Sequence, residues 1–406
     1  MNRLLSACAS LAAALVTASS PPLAQQEGGV CRPAELLTRF GTWTSYSVPL
    51  SPASPTRVLA PKADGKNAET MRVLIAATAL GSSPWVLMIR DQAGHLIAQI
   101  ERSDFATAGA TVWTGRLEAS SITLSLRRGD AQTELEIRAA IADAGSADGS
   151  EAFSLQGKEA TWRSVYPTTS ILERETAETV GILVDNTYAE PPESSPDSRA
   201  SWCCSGVMVG SDLFLTNWHC AGPKQRWDGE VLQNAVIDLA WEKSSVRRQF
   251  SATDVVAKDV ELDYAILRVR QAIGLKGGRT IFPARISRDP LIEFEPVSLI
   301  HHASCRPKLI SDKCRVQSTM RHAWTDPQGT SGKYPELTHD CDSEPGASGG
   351  PIFDAKGRLI AIHHLGHQKV ASAMCPADRV NKAVKISAIM AHVRETKPGV
   401  ADELGW

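Results

Sequence analysis

Short apolar runs separated by turn residues extend over much of the chain, and they predict strands rather than helices. Residues 70–142 contain several such runs, among them MRVLIAATA, WVLMIRDQAGHLIAQI and SITLSLRRGDAQTELEIRAAI. Gly, Asp and Gln interrupt these runs at positions typical of turns. Arg128-Gly129-Asp130 in the last run predicts the turn of a hairpin. The simplest interpretation is a small N-terminal β-sandwich, predicted over residues 30–162, in which we find no spacing of His, Asp or Glu typical of catalysis.

A second β-rich region starts with VGILVD, Val180–Asp185. The Gly, Ser and Asp residues of ADAGSADGSEAF and the charged stretch ILERETAE separate it from the first region. We therefore predict a linker over residues 163–178 and a second domain over residues 179–400.

The chain closes with an amphipathic pattern that predicts a helix. Ile386, Ile389, Met390 and Val393 follow the i, i+3, i+4, i+7 spacing of one helix face, and Pro398 ends the pattern.

The first residues are typical of an export signal. Arg3 precedes the apolar run LLSACASLAAALVTA, and Ala24 is a suitable cleavage point, so residues 1–24 are predicted to be a signal peptide. A lipoprotein box at Leu5–Cys8 is the weaker alternative, because the apolar run continues beyond Cys8. No later segment approaches twenty uncharged apolar residues, which predicts no membrane span and a secreted or periplasmic protein.

Charge and cysteine content narrow the function classes. A formal net charge of -2 gives no basic field for nucleic-acid binding. Of the nine cysteines, eight remain after a signal containing Cys8 is removed, and an even number in an exported chain favours disulfides. No paired C-x-x-C spacing indicates structural zinc, and no motif indicates a metal or another cofactor.

The stretch DSEPGASGGPIFD carries the strongest chemical signal, a G-x-S-x-G pattern formed by Gly346, Ser348 and Gly350. In α/β-hydrolases this pattern lies on a strand-to-helix elbow, and the acid and the histidine follow the serine in the chain. Here Gly349, Gly350 and Pro351 come directly after Ser348, and IFDAKGRLIAIHH then predicts strand, turn and strand. An elbow is therefore improbable.

A serine hydroxyl needs a base to take its proton and an acid to orient that base. Both are present upstream, since FLTNWHC contains His219 and LDYAILRV contains Asp263. With PGASGGPIF, these motifs resemble those of the trypsin-like, chymotrypsin-fold serine peptidases, and the secreted bacterial branch of glutamyl and lysyl endopeptidases in particular. The resemblance covers about residues 180–393. It implies an all-β protein, a chymotrypsin-like double β-barrel with a C-terminal helix, preceded here by the β-sandwich.

The resemblance also implies roles for individual residues. Ser348 would be the nucleophile, His219 the general base and then acid, and Asp263 the residue that orients His219. The N–H groups of Gly346 and Ser348 would form the oxyanion hole. Cys204 and Cys220 match the family's disulfide beside the histidine. We also predict a Cys314–Cys341 disulfide, because both residues flank the segment before the nucleophile.

The sequence leaves the activation mechanism and the substrate preference open. Ala347 stands where animal zymogens carry the aspartate that pairs with a new N-terminus, so that switch is not expected. His363 and Ser343 match residues that bind a substrate carboxylate in glutamyl endopeptidases, whereas Asp342 matches the basic-residue selector of trypsin. Asn381 stands in place of the lysyl-endopeptidase selector. An acidic or undefined preference is slightly favoured.

The function expected is therefore a secreted serine endopeptidase acting on polypeptide substrates through an acyl-enzyme. The β-sandwich would be an intramolecular pro-domain, released by a cut near residues 165–179, or an accessory module. A disulfide from Cys31 to the catalytic half would keep the two pieces tethered. The alternative is a catalytically silent binding protein on a peptidase scaffold. The cluster HHLGH, with His363, His364 and His367, could suggest a metal, but adjacent strand residues point to opposite faces.

Overall fold

The computed structural model describes residues 38–63, 65–143, 161–168, 170–185, 201–221, 227–241, 248–271, 282–319, 336–366 and 381–406. The expected signal peptide, residues 1–24, lies outside these ranges, as do Cys31, His367 and Cys375.

The N-terminal part is built from short strands. In chain order they are β1 (Thr38–Phe40), β2 (Thr42–Leu50), β3 (Thr56–Leu59), β4 (Lys62–Ala63), β5 (Lys66–Asn67), β6 (Thr70–Leu80), β7 (Trp85–Asp91), β8 (Leu96–Glu101), β9 (Thr111–Trp113), β10 (Ile122–Arg128) and β11 (Thr133–Asp143). Two four-stranded sheets form, in the orders β3-β10-β7-β8 and β2-β11-β6-β9. Alternate apolar residues of both sheets, such as Leu87 and Ile75, share one buried cluster. The N-terminal part is therefore a β-sandwich, as predicted.

The predicted hairpin at Arg128-Gly129-Asp130 is wrong. β10 pairs with β3 and β7, whereas β11 pairs with β2 and β6, so this turn crosses from one sheet to the other. The reason is a contact that turn propensity does not reveal. The Asp130 carboxylate accepts hydrogen bonds from the N–H groups of Ser82 and Ser83, at 2.7 and 2.9 Å, and so ties the turn to the loop after β6.

Six strands close the first barrel. The elements here are β12 (Arg163–Ser164), α1 (Ile171–Glu178), β13 (Val180–Asp185), β14 (Ser201–Met208), β15 (Leu213–Thr216), α2 (Gly229–Asn234), β16 (Ala235–Asp238), β17 (Gln249–Asp259) and β18 (Tyr264–Gln271). The ring runs β14-β13-β16-β17-β18-β15, and the β14–β15 pairing closes it. β12 lies outside this ring and pairs with a strand of the second barrel.

The second barrel follows the same plan. Its elements, with the helices that end the chain, are β19 (Arg285–Ile286), β20 (Pro296–His301), β21 (Leu309–Ser318), β22 (Glu336–His339), β23 (Pro351–Asp354), β24 (Arg358–Leu365), β25 (Asn381–Lys385), α3 (Ile386–Thr396) and α4 (Pro398–Glu403). The ring runs β21-β20-β23-β24-β25-β22 and closes through β21–β22. The double-barrel fold of the trypsin-like proteins is confirmed.

Helix α3 confirms the predicted C-terminal helix. It buries the four residues of the periodic pattern, Ile386, Ile389, Met390 and Val393, in a cluster shared with strands of both barrels. Burying side chains of this kind contributes roughly 1.5–3 kcal/mol each. The helix therefore holds the C-terminal segment against both barrels. Among the described residues, no helix is long and apolar enough to cross a membrane.

The β-sandwich rests directly on the first barrel. The indole N–H of Trp113 donates to Asn234 Oδ1 at 2.7 Å, and the guanidinium of Arg116 lies 4.2 Å from the centre of the Trp241 ring. Strand β1 pairs with β14, and so adds a strand from the N-terminal part to the sheet of the first barrel.

Candidate active site

His219 and Asp263 meet in the first barrel. His219 lies in a short 3-10 helix after β15, and Asp263 directly precedes β18. The ring Nδ1 of His219 is 2.8 Å from Asp263 Oδ2, and the backbone N–H of His219 donates to Oδ1 at 3.0 Å. Asp263 has a φ of 48°, which aspartate tolerates, and its carbonyl accepts a 2.8 Å hydrogen bond from Asn217. Both carboxylate oxygens of Asp263 are therefore held by His219.

The buried Asp263 carboxylate is held in its charged form. Burial alone would raise its pKa, but the charge and hydrogen bond of His219, followed by those of His364, lower that pKa well below its ordinary value. His219 and Asp263 are only 1% and 3% exposed. An ionised carboxylate shielded from water can therefore orient the imidazole and stabilise its cationic form.

Ser348 lies on a tight turn that packs against the first barrel. Its carbonyl accepts a 2.7 Å hydrogen bond from the N–H of Ser205 and lies 4.0 Å from Sγ of Cys220, the residue after His219. At the next position, Gly349 has a φ of 80°, and a Cβ there would lie 2.2 Å from the Ser205 carbonyl oxygen. Only glycine allows the turn to approach β14 this closely.

Ser348 is partly exposed, whereas its neighbours in the turn are buried. Ser348 is thus within reach of solvent, and its backbone lies beside the residue that follows His219. In the part of the chain that the structure describes, no hydrogen bond joins the Ser348 hydroxyl to His219. Contacts of this type often tighten only when a reactant is bound.

The backbone around Ser348 presents two N–H groups without acceptors among the described residues, those of Gly346 and Ser348 itself. The N–H of Ala347 between them is occupied, because it donates to the Glu344 carbonyl at 2.9 Å. Gly346 has a φ of 98°, and a Cβ there would lie 2.7 Å from the His302 carbonyl oxygen. Glycine thus lets this peptide point its N–H outward, an arrangement that can bind an oxyanion.

Among the described residues, three disulfides lie around the site. Cys204–Cys220 and Cys314–Cys341, the two expected pairs, are both bonded in the structure. The third, Cys203–Cys305, was not expected from the sequence, and it links β14 to the segment after β20. It therefore joins the two barrels beside Gly346. Three disulfides indicate an oxidising compartment outside the cytoplasm.

The three residues predicted to bind substrate differ in their surroundings. Asp342 is 1% exposed, and its Oδ2 accepts hydrogen bonds from the N–H and the hydroxyl of Thr161, at 2.8 and 2.7 Å. Ser343 is also buried, and its hydroxyl finds no hydrogen-bond partner within the described part of the chain. His363 is buried with Nδ1 3.0 Å from Nε2 of His339. Burial, followed by the charges of His339 and other histidines, lowers its pKa well below the ordinary value, so it is neutral near pH 7.

His363 and His364 point in different directions, as the strand geometry predicted. His363 meets His339, whereas His364 reaches Asp263 and Glu336. His367 of the same motif lies outside the described residues. Within the described ranges, Cys204, His219 and Cys220 form a cluster with suitable spacing for a metal, but its two sulfurs are bonded to each other and are not thiolate ligands.

Sequence reasoning missed His364, Glu336 and Thr161. His364 belongs to a motif that we had considered, but nothing in a run of two histidines says which one faces Asp263. Glu336 and Thr161 carry no motif. Their contacts, with His364 and Asp342, join residues 28 and 181 positions apart.

Comparison with known proteins bears on this geometry. Residues 204–362 match a family model described as a trypsin-like peptidase domain. The chain is similar to the Rv3671c protease of M. tuberculosis in its active form, with 15% identity, 62% of this chain and 93% of that chain covered, and a TM-score of 0.40. The chain is also similar to an inactive serine-to-alanine mutant of Rv3671c from M. tuberculosis H37Rv. The identity is 16%, 57% of this chain and 93% of that chain are covered, and the TM-score is 0.40. The comparison with curated proteins gave no match.

Proposed function

We propose that this protein is a secreted serine endopeptidase that uses His219, Asp263 and Ser348. The match of residues 204–362 to a trypsin-like peptidase domain supports the proposal. The observation that carries the proposal is the buried pair of His219 and Asp263, 2.8 Å apart, with the carbonyl oxygen of Ser348 4.0 Å from Sγ of Cys220, the residue after His219. In the proposal, Ser348 needs His219 to take its proton, and His219 needs the Asp263 carboxylate to orient it.

In the proposed reaction, Ser348 Oγ attacks the scissile carbonyl while His219 accepts its proton. The carbonyl oxygen becomes an oxyanion between the N–H groups of Gly346 and Ser348, each donor contributing roughly 3 kcal/mol. His219 then donates the proton to the leaving amine, which leaves an acyl group on Ser348. Water attacks this ester, with His219 again as the base, and frees the enzyme.

The competing proposal is a binding protein that keeps the peptidase fold without catalysis. The two can be separated with a peptide library and a fluorophosphonate probe. We expect the wild type to cleave peptides and to be labelled, and Ser348→Ala to do neither while unfolding at the same temperature. A folded wild type that neither cleaves nor labels would favour the binding protein.

For specificity, we propose that Ser343 and His363, rather than Asp342, face the side chain before the scissile bond. The Thr161 hydrogen bonds to Asp342 argue against a free carboxylate for a substrate lysine or arginine. A buried hydroxyl without a partner and a neutral imidazole suit a substrate carboxylate better. We expect cleavage after Glu to exceed cleavage after Gln or Lys in matched peptides. A preference for Lys that disappears in Asp342→Asn would contradict this assignment.

We further propose that the chain is divided into a β-sandwich over residues 30–162, a linker over 163–178 and a peptidase over 179–400, and that the sandwich is an inhibitory pro-domain. The register of β1 supports this, since it pairs Thr38 with Cys203 and Phe40 with Ser201. Further along the same edge of β14, the N–H of Ser205 donates to Ser348. Cys203 and Ser205 are two residues apart, about 7 Å along a strand. Strand β1 therefore occupies the edge that a bound peptide would follow away from Ser348.

Proline substitutions test this inhibition in the full chain. In the observed register the N–H groups of Thr38 and Phe40 face β14, whereas that of Arg39 faces away. Thr38→Pro removes a ladder donor, and Arg39→Pro is the matched control. We expect Thr38→Pro to raise cleavage of peptides that continue beyond the scissile bond. Cleavage of a chromogenic amide with no residues on that side should not change. Equal effects of both variants on both substrates would contradict inhibition by β1.

A further inference from the structure

The Asp263 carboxylate has a second histidine partner. Besides His219, its Oδ2 is 3.3 Å from Nδ1 of His364, on β24. The other ring nitrogen of His364, Nε2, is 2.5 Å from Oε1 of Glu336, on β22. His364 and Glu336 are 1% and 2% exposed, so the contacts are shielded from water. The structure thus extends the pair of His219 and Asp263 inward to a second histidine and a second carboxylate.

Geometry sets the charge of His364. A neutral imidazole has one N–H and can donate to only one of two flanking carboxylates, leaving a lone pair pointed at the other. The imidazolium donates to both, and it also separates two buried negative charges that would otherwise repel each other. Burial alone would lower the pKa of His364, but the charge of Glu336 and the hydrogen bonds to both carboxylates raise it to about 9.

We propose that His364 and Glu336 are positioning residues of the peptidase site, in which Glu336 holds a cationic His364 that in turn fixes the Asp263 carboxylate for His219. This inference rests on the proposed function. Neither residue touches the reacting atoms. The cation keeps Asp263 ionised, and Glu336 offsets the attraction by which the cation would otherwise weaken the hold of Asp263 on His219. The charge of Glu336 and His364 together is zero, so the field at His219 is set mainly by Asp263.

The groups around His364 are consistent with a single buried cation. Burial, followed by the charge of His364, lowers the pKa of His339 to about 3, and His363 is likewise neutral near pH 7. The titratable and charged groups on the elements packed against β24 are Asp354 on β23, Arg285 on β19, Lys382 and Lys385 on β25, and His392, Arg394 and Glu395 on α3. Beyond these elements lie Asp263 before β18, His219 after β15, and Glu336 and His339 on β22. Of all these groups, Asp263 and Glu336 are the ones in hydrogen-bond contact with His364.

The pH profile of kcat/KM tests this role. For the wild type we expect a fall on the alkaline side near pH 9, where His364 loses its proton. In Glu336→Gln, which keeps the shape of the side chain, this fall should move below pH 8. The cationic fraction at pH 8 would drop from about nine-tenths, because the attraction of the Glu336 charge is lost while the burial that lowers the pKa of His364 remains. We expect kcat/KM at pH 8 to be roughly tenfold lower than in the wild type, and the two proteins to differ little near pH 6.

His392→Gln is the matched control. His392 also pairs with a carboxylate, Asp259 at 3.5 Å, but it lies on α3 and does not touch Asp263. Its profile should follow that of the wild type. If Glu336→Gln is folded and active with an unchanged profile, the inference fails while the proposed function stands. If no variant or wild type cleaves peptides at any pH, the proposed function fails.

Nitrogen NMR of the wild type gives a second readout that depends on neither activity nor the folding of a variant. With ¹⁵N-labelled histidine, both ring nitrogens of His364 should be protonated at pH 7.5, and assignment can use the signal lost in His364→Ser. A neutral His364 ring at that pH would overturn the inference.

Discussion

The glycine at position 346 offers the sharpest test of the backbone geometry, through the substitution Gly346→Ala. With a φ of 98°, an added Cβ would lie 2.7 Å from the His302 carbonyl oxygen and 3.2 Å from Sγ of Cys203. A non-glycine residue in such a conformation costs of order 1–3 kcal/mol. The His302 carbonyl belongs to a segment held by the Cys203–Cys305 disulfide and cannot easily move away. We therefore expect the peptide to rotate and its N–H to leave the proposed oxyanion hole.

Loss of one such donor lowers kcat by about 10²–10³, or roughly 3 kcal/mol in the barrier. The assay is hydrolysis of a peptide at saturating concentration, with the unfolding temperature measured in parallel. KM should change little, because the donor acts mainly on the charge that develops in the reaction.

Gly94→Ala is the matched control. Gly94 has a similar φ, 85°, but a Cβ there meets nothing within 4 Å, and the residue lies in the turn between β7 and β8. It should cost some stability and leave kcat unchanged. A Gly346→Ala protein that is folded and keeps kcat within threefold of the wild type would refute the assignment of Gly346 to the oxyanion hole.

Three further predictions follow from the same geometry. Asp263→Asn should lower kcat for peptide hydrolysis by about 10⁴, because an amide favours the wrong tautomer of His219; a loss below tenfold would contradict the role of Asp263. Replacing Cys203 and Cys305 together by Ser opens a link between residues 102 positions apart, and urea unfolding should show a loss of about 2–5 kcal/mol, whereas a loss under 1 kcal/mol would not fit a link between the barrels. Folding raises the pKa of His364 from 6.5 to about 9. Its contribution of about 3 kcal/mol to the free energy of unfolding is therefore complete below pH 6.5 and lost as the pH rises through 9. The difference in unfolding free energy between wild type and His364→Leu should shrink over that window, and a constant difference would contradict the linkage.

Elements that are defined by a short sequence pattern could be predicted. The period of Ile386, Ile389, Met390 and Val393 predicted α3, because one face of that helix is buried along its whole length. The segments around His219, Asp263 and Ser348 could be recognised because each motif specifies several neighbouring residue types at once. A short motif therefore carries information about a site assembled from both barrels.

Contacts between distant segments could not be predicted in this way. Turn residues at Arg128-Gly129-Asp130 marked a reversal of the chain, but they did not show which strands pair on either side of it. The hydrogen bonds from Ser82 and Ser83 to Asp130 tie this turn to a different loop. The bond from His364 to Asp263 spans 101 residues, and that from Thr161 to Asp342 spans 181. A single sequence does not say which of many polar side chains meet at such separations.

The central claim is that Ser348 is a nucleophile served by His219 and Asp263. Trapping the acyl-enzyme tests it most directly. The protein is mixed with an activated ester, quenched in acid within the first turnover, digested with pepsin and mapped by mass spectrometry. We predict one acyl group, on Ser348, that does not form in Ser348→Ala and forms far more slowly in His219→Ala. Acyl transfer to a different residue, or none in a folded protein, would contradict the account.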